Sequence, residues 1–292
     1  MEQFERALEA IEERLDGMVD VAEVARAAYM GEHHFRRVFA TLAGMGVSEH
    51  VRRRRMTLAA SDLRETADGV LEIAMRYGYT SADSFARAFR DVHGVTPSAA
   101  REPDVMLRSQ SRLRIRISLE GMTDVRHRIT ELGSFHLVGR STRVPLVHHG
   151  PNPVIADFVA SIDPATTVAL KQRNDVPPFG VLAVTDDVDD AYEEGSPLTY
   201  LHGVATSTDP STAEDSIAVP AGTWLVLEPQ DQSDEALQAL WPYAVTEWLP
   251  SNRYELAPGP SIVSMRRRDD EPGLARELWL PVRIAAERTA SS

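Results

Sequence analysis

The chain contains no cysteine in its 292 residues, which excludes disulfide staples, thiolate nucleophiles and cysteine-based zinc sites. Long apolar runs are missing too. The stretches Ile217–Leu227 and Leu278–Ala286 are interrupted by proline, threonine or charge, and both fall short of the roughly 20 apolar residues that a spanning helix needs. Met1–Arg14 is acidic and amphipathic, unlike the basic-then-apolar opening of an export signal. A cytoplasmic protein with no membrane partner is the expectation. No Ser-His-Asp arrangement and no pair of carboxylates at catalytic spacing stands out, so a non-enzymatic protein is expected, with no cofactor and no metal. Positive charge is in deficit, the formal net charge being −13, which argues against nonspecific coating of nucleic acid.

That deficit is uneven. Residues 1–102 carry 14 Arg against 17 Asp plus Glu, a balance of −3, and the remainder carries −10. Within the first part the arginines cluster at Arg36–Arg37, Arg52–Arg55 and Arg87–Arg90, while the acids crowd into Glu2–Glu23. Local basic faces are therefore available on a weakly acidic domain. The length suits two domains, each able to bury its own core.

From Met1 to about Ala100 apolar residues recur at intervals of three and four, as in Phe4, Leu8, Ile11 and Leu15, then Phe35, Val38, Phe39 and Leu42. This is the helical period, and the glycines between the stripes mark turns. About seven short helices are expected. Val21-Ala-Glu-Val24-Ala25 aligns with Val70-Leu-Glu-Ile73-Ala74 at an offset of 49, and Phe35-Arg-Arg37-Val-Phe39 with Phe85-Ala-Arg87-Ala-Phe89 at 50. Each copy reads as a helix, a turn and a second helix carrying an arginine, with one extra residue in the second turn. A plain helical bundle would share the periodicity; the duplicated Phe-x-Arg-x-Phe favours paired helix-turn-helix units.

Behind them, residues 103–120 read as a connection, with strand-like alternation over Arg112–Leu119. Strands are expected near Phe135–Gly139, Gly180–Val184, Thr199–Ala205, Thr223–Glu228, Ser261–Met265 and Glu277–Ile284, and helices over Val154–Ile162 and Asp234–Trp248. The fold class that follows is an N-terminal all-α domain with two helix-turn-helix units, then a C-terminal α+β domain of two β-α-β-β halves. Expected boundaries are 1–102, 103–120, 121–286 and a disordered tail over 287–292. Thr206–Asp215 reads as a polar loop.

The segment Ile73-Ala-Met-Arg-Tyr77-Gly78-Tyr79-x-Ser81-x-x-Ser84-Phe85-x-Arg87-x-Phe89, closing with Gly94-Val-Thr-Pro97-Ser, resembles the signature of AraC-family DNA-binding domains. The resemblance implies two units held by a linking helix, entering successive major grooves about 34 Å apart on double-stranded DNA. It places Glu32, His33, Arg36 and Arg37 on the first reading helix and Ala82, Asp83, Ser84 and Arg87 on the second. An arginine fork matches guanine O6 and N7. Asp83 either accepts from a cytosine amine or serves as a cap or dipole partner. Arg52–Arg55 point to phosphate or solvent. The family usually has glycine where this chain has Tyr29, which points to an altered first turn. His33–His34 has no third ligand nearby and reads as a surface face.

The second part resembles the gyrase-inhibitor-like effector-binding domains, through Ile217-Ala-Val-Pro220-Ala-Gly222-Thr-Trp224, Trp248-Leu-Pro250-Ser-Asn-Arg-Tyr254 and Glu277-Leu-Trp279-Leu-Pro281. The resemblance implies a pocket for cationic or amphipathic molecules, in which aromatic rings and a buried glutamate hold a cation. Here Val263 and Met265 stand where that glutamate and its neighbouring aromatic are expected, so the pocket suits neutral ligands or borrows Glu228 or Glu277. Trp224, Trp248, Tyr254 and Trp279 are candidate lining residues, each with an ordinary core role as the alternative. The expected function is a DNA-binding transcription regulator that senses a small molecule and works with RNA polymerase. Alternatives are a rear domain that is a protein-contact or hydrolase-like module, and a gyrase inhibitor with an incidental helical domain.

Overall fold

In the computed structural model, which describes residues 2–113, 125–148, 150–189, 192–211, 214–229, 232–267 and 274–285, the helical period of the first hundred residues becomes six α-helices and one 3-10 turn. They are α1 (Glu2–Glu12), α2 (Val21–Ala27), α3 (Glu32–Ala43), α4 (Val47–Glu65), α5 (Val70–Arg76) and α6 (Ala82–His93), with the 3-10 turn at Ala99–Arg101. By contacts the chain divides into two units, Met1–Phe35 with Met45–Ile117 and Arg36–Gly44 with Ser118–Ser292.

Polar residues start the short helices where the first backbone N–H groups lack partners. Asp20 Oδ1 accepts from the N–H groups of Ala22 and Glu23 at 2.8 and 3.3 Å. Ser81 Oγ accepts from Ser84 N at 3.2 Å. Phe4 packs its ring on Phe35, 5.7 Å between centroids. Against α4 the second copy buries Ile73, Ala74, Tyr77, Phe85 and Phe89 on Met56, Ala59, Ala60 and Leu63. Residues after the 3-10 turn are strapped to α4: Gln110 N donates to Thr57 Oγ1 at 2.9 Å and Arg54 Nη1 donates to Gln110 O at 2.6 Å. The alternating stretch Arg112–Leu119 lies mostly outside the described residues, as does the tail 287–292.

The second unit is built on one nine-stranded antiparallel sheet. Its strands are β1 (Arg126–Leu132), β2 (Phe135–Pro145), β3 (Val181–Asp186), β4 (Pro197–Thr206), β5 (Asp215–Val219), β6 (Gly222–Glu228), β7 (Tyr254–Leu256), β8 (Ser261–Arg267) and β9 (Leu274–Ile284). The order is β1-β6-β9-β8-β3-β4-β2-β5, with β7 paired to β9. Helices α7 (Pro153–Ser161) and α8 (Pro164–Lys171) lie between β2 and β3 in the chain, and α9 (Asp234–Tyr243) between β6 and β8. Two β-α-β-β halves therefore meet at β3 and β8. Each half also sends an edge strand to the other, β1 to β6 and β5 to β2.

Both edge strands, and the helix α8, are absent from the sequence reading. Arg-His-Arg-Ile-Thr-Glu-Leu and Asp-Ser-Ile-Ala-Val are mostly exposed, so neither displays an alternating buried face, and their polar side chains suit sheet edges. The helix expected to run to Trp248 changes at Tyr243 into a π-type turn over Ala244–Trp248. Pro242 lies just before it and has no N–H to offer the preceding turn. Gly139 and Gly203 are partners in the β2–β4 ladder, where an added Cβ on Gly203 would lie 2.1 Å from Val138 O. The two strands approach too closely there for any side chain.

Candidate nucleic-acid interface and ligand face

The two turns between paired helices use the same hydrogen bonds. In the first, the N–H of Tyr29 donates to Arg26 O and that of Met30 to Ala25 O, both at 2.9 Å. In the second, Gly78 donates to Met75 O at 3.1 Å and Tyr79 to Ala74 O at 2.9 Å. Gly78 takes a left-handed φ of 82° and Tyr29 one of 55°. The altered first turn expected from Tyr29 is thus not observed: tyrosine adopts the backbone that glycine supplies in the second copy, a conformation that is costly for a residue with a Cβ. Its side chain points to solvent, 63% exposed.

Beyond each turn stands a helix whose buried face holds it in place. In α6, Phe85, Phe89, Val92 and His93 are buried, leaving Asp83 and Arg87 exposed four residues apart on one side. Ala82 and Ser84 are half-buried. The cap is Ser81, and Ser84 Oγ donates back to Ser81 O at 2.9 Å, so Ser84 braces the helix start and Asp83 lies free of capping in its first turn. In α3, Glu32 is exposed, and His33, Arg36 and Arg37 are half-buried.

The arginine run on α4, read from the sequence as facing phosphate or solvent, is largely engaged within the fold. Arg54 Nε and Nη2 donate to the two oxygens of Glu12 at 2.9 and 2.8 Å, with both side chains nearly buried. Arg55 donates to Leu15 O at 3.0 Å and also to Gly17 O. Arg52 and Arg53 share Glu49 at 2.7 and 2.5 Å, and of the four only Arg53 is exposed. Beside the Glu12–Arg54 pair, burial pushes the His50 imidazole down to about 4, with Arg54 adding to the effect and Glu12 opposing it.

In the sheet, paired residues of antiparallel strands share a face and alternate residues take opposite faces. One cross-strand row runs through His127, Leu227, Leu278, Val263, Ala183, His202 and Arg140. The helices cover this face: Trp248, after α9, packs edge-on to His127 at 5.7 Å, and Phe158 of α7 packs edge-on to Tyr200 at 6.1 Å. Tyr254 stacks on Trp248 at 5.8 Å. Val263 and Met265, both half-buried, share this side.

The opposite face carries Arg128, Val226, Trp279, Ile262, Val184 and Leu201, together with Trp224, which packs on Phe135 at 6.2 Å. Trp224 and Trp279 belong to the apolar core there. Glu277 is buried on this face. Its Oε1 accepts from Arg128 Nη1 at 2.7 Å and its Oε2 from Trp279 Nε1 at 3.1 Å, while the Arg128 guanidinium lies 5.2 Å from the centre of the Trp279 ring. Glu228 accepts from Arg126 Nη2 at 2.6 Å.

The eight residues expected to line one pocket therefore divide. Val263, Met265, Trp248 and Tyr254 belong to the helix-covered face, whereas Trp224, Glu228, Glu277 and Trp279 lie across the sheet from them. Neither acid replaces the one absent at Val263, because both point away from it and already hold arginines of edge strand β1. The split follows from strand parity, which composition and motif do not reveal. One polar residue the sequence did not single out does lie on the helix-covered face: His202, 8% exposed, whose Nδ1 has no hydrogen-bond partner. Burial lowers its pKa, and the charge of Lys171 lowers it further.

Comparison with known proteins accounts for both parts. Residues 24–103 match the model of a helix-turn-helix domain, and residues 126–283 that of a GyrI-like small molecule binding domain. The first part is 38% identical over 91 residues to the Transposon Tn10 TetD protein of Escherichia coli, which covers 31% of this chain and 66% of that protein. It is 35% identical over 94 residues to the HTH-type transcriptional activator AarP of Providencia stuartii, covering 32% of this chain and 70% of that one. The regulatory protein SoxS of Salmonella typhimurium is also 35% identical over 94 residues, 32% of this chain and 88% of its own. Among the described residues no single helix is long and apolar enough to cross a membrane.

Proposed function

The chain belongs to the AraC-type helix-turn-helix transcription regulators and carries a GyrI-like small-molecule-binding domain, and we propose that occupancy of the second domain by a small apolar or amphipathic molecule sets how the first acts on DNA. The observation that carries the DNA half is the duplicated turn, with equal hydrogen bonds at Tyr29–Met30 and Gly78–Tyr79. Each turn is followed by a helix bearing an arginine one turn in, which suits side-chain contact with base edges in two successive grooves. Arg36 serves the first groove, with Glu32 and His33 beside it, whereas Arg37, placed on the same reading helix by the sequence, donates from Nη2 to Ser261 Oγ at 2.7 Å and is held within the fold. Arg87 serves the second, with Ala82, Asp83 and Ser84 beside it. A single chain then reads an asymmetric site in the cytoplasm, and RNA polymerase is the partner through which the reading takes effect.

The sensing half rests on the helix-covered sheet face, where Val263 and Ala183 form an apolar floor flanked by aromatic residues of α7 and of the turn after α9. Such a surface suits the apolar body of a ligand. A thermal-shift panel of apolar compounds on the intact chain tests this half, followed by DNA-binding anisotropy with each compound that raises the melting temperature. A compound that stabilises the protein and also changes its affinity for DNA supports the proposal; stabilisation with no change in DNA affinity contradicts the coupling.

A further inference from the structure

Among the described strand residues on the helix-covered face of the first β-α-β-β half, the charged side chain is a cation, Arg140. His202 of β4 lies opposite Ala183 of β3 and Arg140 of β2, and its buried Nδ1 is without a hydrogen-bond partner. Lys171, the only lysine in the sequence, lies in the last turn of α8, a helix that packs along β4. Arg140 and Lys171 are exposed, and among the described residues neither has an ion pair. The nearby acid on β5, Asp215, is occupied by the backbone N–H of Ser141 at 2.8 Å. Two cations without an ion pair thus stand beside a buried imidazole whose Nδ1 is unsatisfied, and buried polar atoms are ordinarily bonded.

We propose that this is a seat for an anionic amphiphile: its carboxylate is held by Arg140, Lys171 and the imidazole of His202, and its apolar body lies on Ala183 and Val263. The inference rests on the small-molecule reading above and specifies its ligand class. Neutral imidazole donates from one ring nitrogen, so His202 contributes a directed hydrogen bond, and the two cations contribute charge. A cationic ligand meets the opposite arrangement, since the acids Glu228 and Glu277 lie across the sheet and hold Arg126 and Arg128. Charge-assisted hydrogen bonds to a carboxylate are the stronger kind.

Calorimetric titration of the full chain with decanoate, decanamide and decyltrimethylammonium tests the proposal, because the three share an apolar tail and differ in head-group charge. Decanoate is expected to bind at least about tenfold more tightly than decanamide. Arg140→Gln and Lys171→Gln, both on the surface and so compatible with folding, should each weaken decanoate by about three- to tenfold and leave decanamide unchanged. Bound decanoate should also slow acylation of the Lys171 amine, read by mass spectrometry. Equal or tighter binding of decanamide or the ammonium compound overturns the anionic seat while leaving the small-molecule reading standing, as does unchanged decanoate affinity in both variants. Failure of all three to bind, with no hit in the thermal-shift panel, overturns both.

Discussion

Tyr29 and Gly78 occupy the same place in two successive turns, with φ of 55° and 82° and matching hydrogen bonds to the preceding helix. The left-handed backbone costs a residue with a Cβ about 1–2 kcal/mol, part of which glycine gives back through its freer unfolded chain. Tyr29→Gly should therefore raise stability by up to about 1 kcal/mol. Gly78→Ala should lower it by about 1–2 kcal/mol. Thermal melting of the two variants checks the pair, and equal effects of the same sign would contradict the equivalence of the turns.

The Glu12–Arg54 pair predicts a different response to one change and to two. Both side chains are nearly buried and bonded in a fork, so Glu12→Ala leaves Arg54 with a desolvated charge and should cost on the order of 3 kcal/mol. Replacing both, as Glu12→Leu with Arg54→Met, should recover much of that loss. Urea unfolding measures each, and a double variant no better than the single one would count against the account.

Acid should weaken the helical unit through His50. Its folded pKa, near 4, is depressed below the unfolded value of about 6.5, so the unfolded chain binds the proton first. Stability from this group is fully present above about pH 6.5 and is lost as the pH falls toward 4, in total on the order of 3 kcal/mol. His50→Gln should reduce the slope of stability against pH over that window. His93, whose pKa burial also lowers, contributes in the same direction and leaves a residual slope.

Arg128 and Glu277 act as a structural pair on the face of the sheet away from the helices. Arg128→Met leaves Glu277 buried with only Trp279 and Ser264 beside it and should cost about 1–2 kcal/mol, less than a fully buried pair because Arg128 is half in solvent. Compounds that bind the helix-covered face should keep their affinity in this variant. Loss of binding without loss of stability would place the ligand on the wrong side of the sheet.

Much of this architecture is legible in the sequence where burial imposes a period. The stripes through Phe35 and Phe85, the repeat at offsets 49 and 50, and the strands at Thr199 and Thr223 all follow from side chains that must face a core. Edge strands β1 and β5 escape notice because exposure removes the alternation. The candidate ligand residues Trp224 and Trp248 are alike in composition, yet pairing and parity send them to opposite faces, and no local pattern records which strand lies beside which. Arg54 and Arg55 read as free cations for a similar reason: Glu12 and the Leu15 and Gly17 carbonyls that hold them come from about 40 residues earlier.

Whether two successive helix-turn-helix units in one chain read one asymmetric site is decided by selecting bound sequences from a random duplex pool at fixed salt. The intact protein is compared with Arg36→Ala and Arg87→Ala. Enrichment of a single site of about 20 base pairs, with each variant relaxing a different half, is the predicted result. No enrichment above nonspecific binding, or the same half relaxed by both variants, would contradict it.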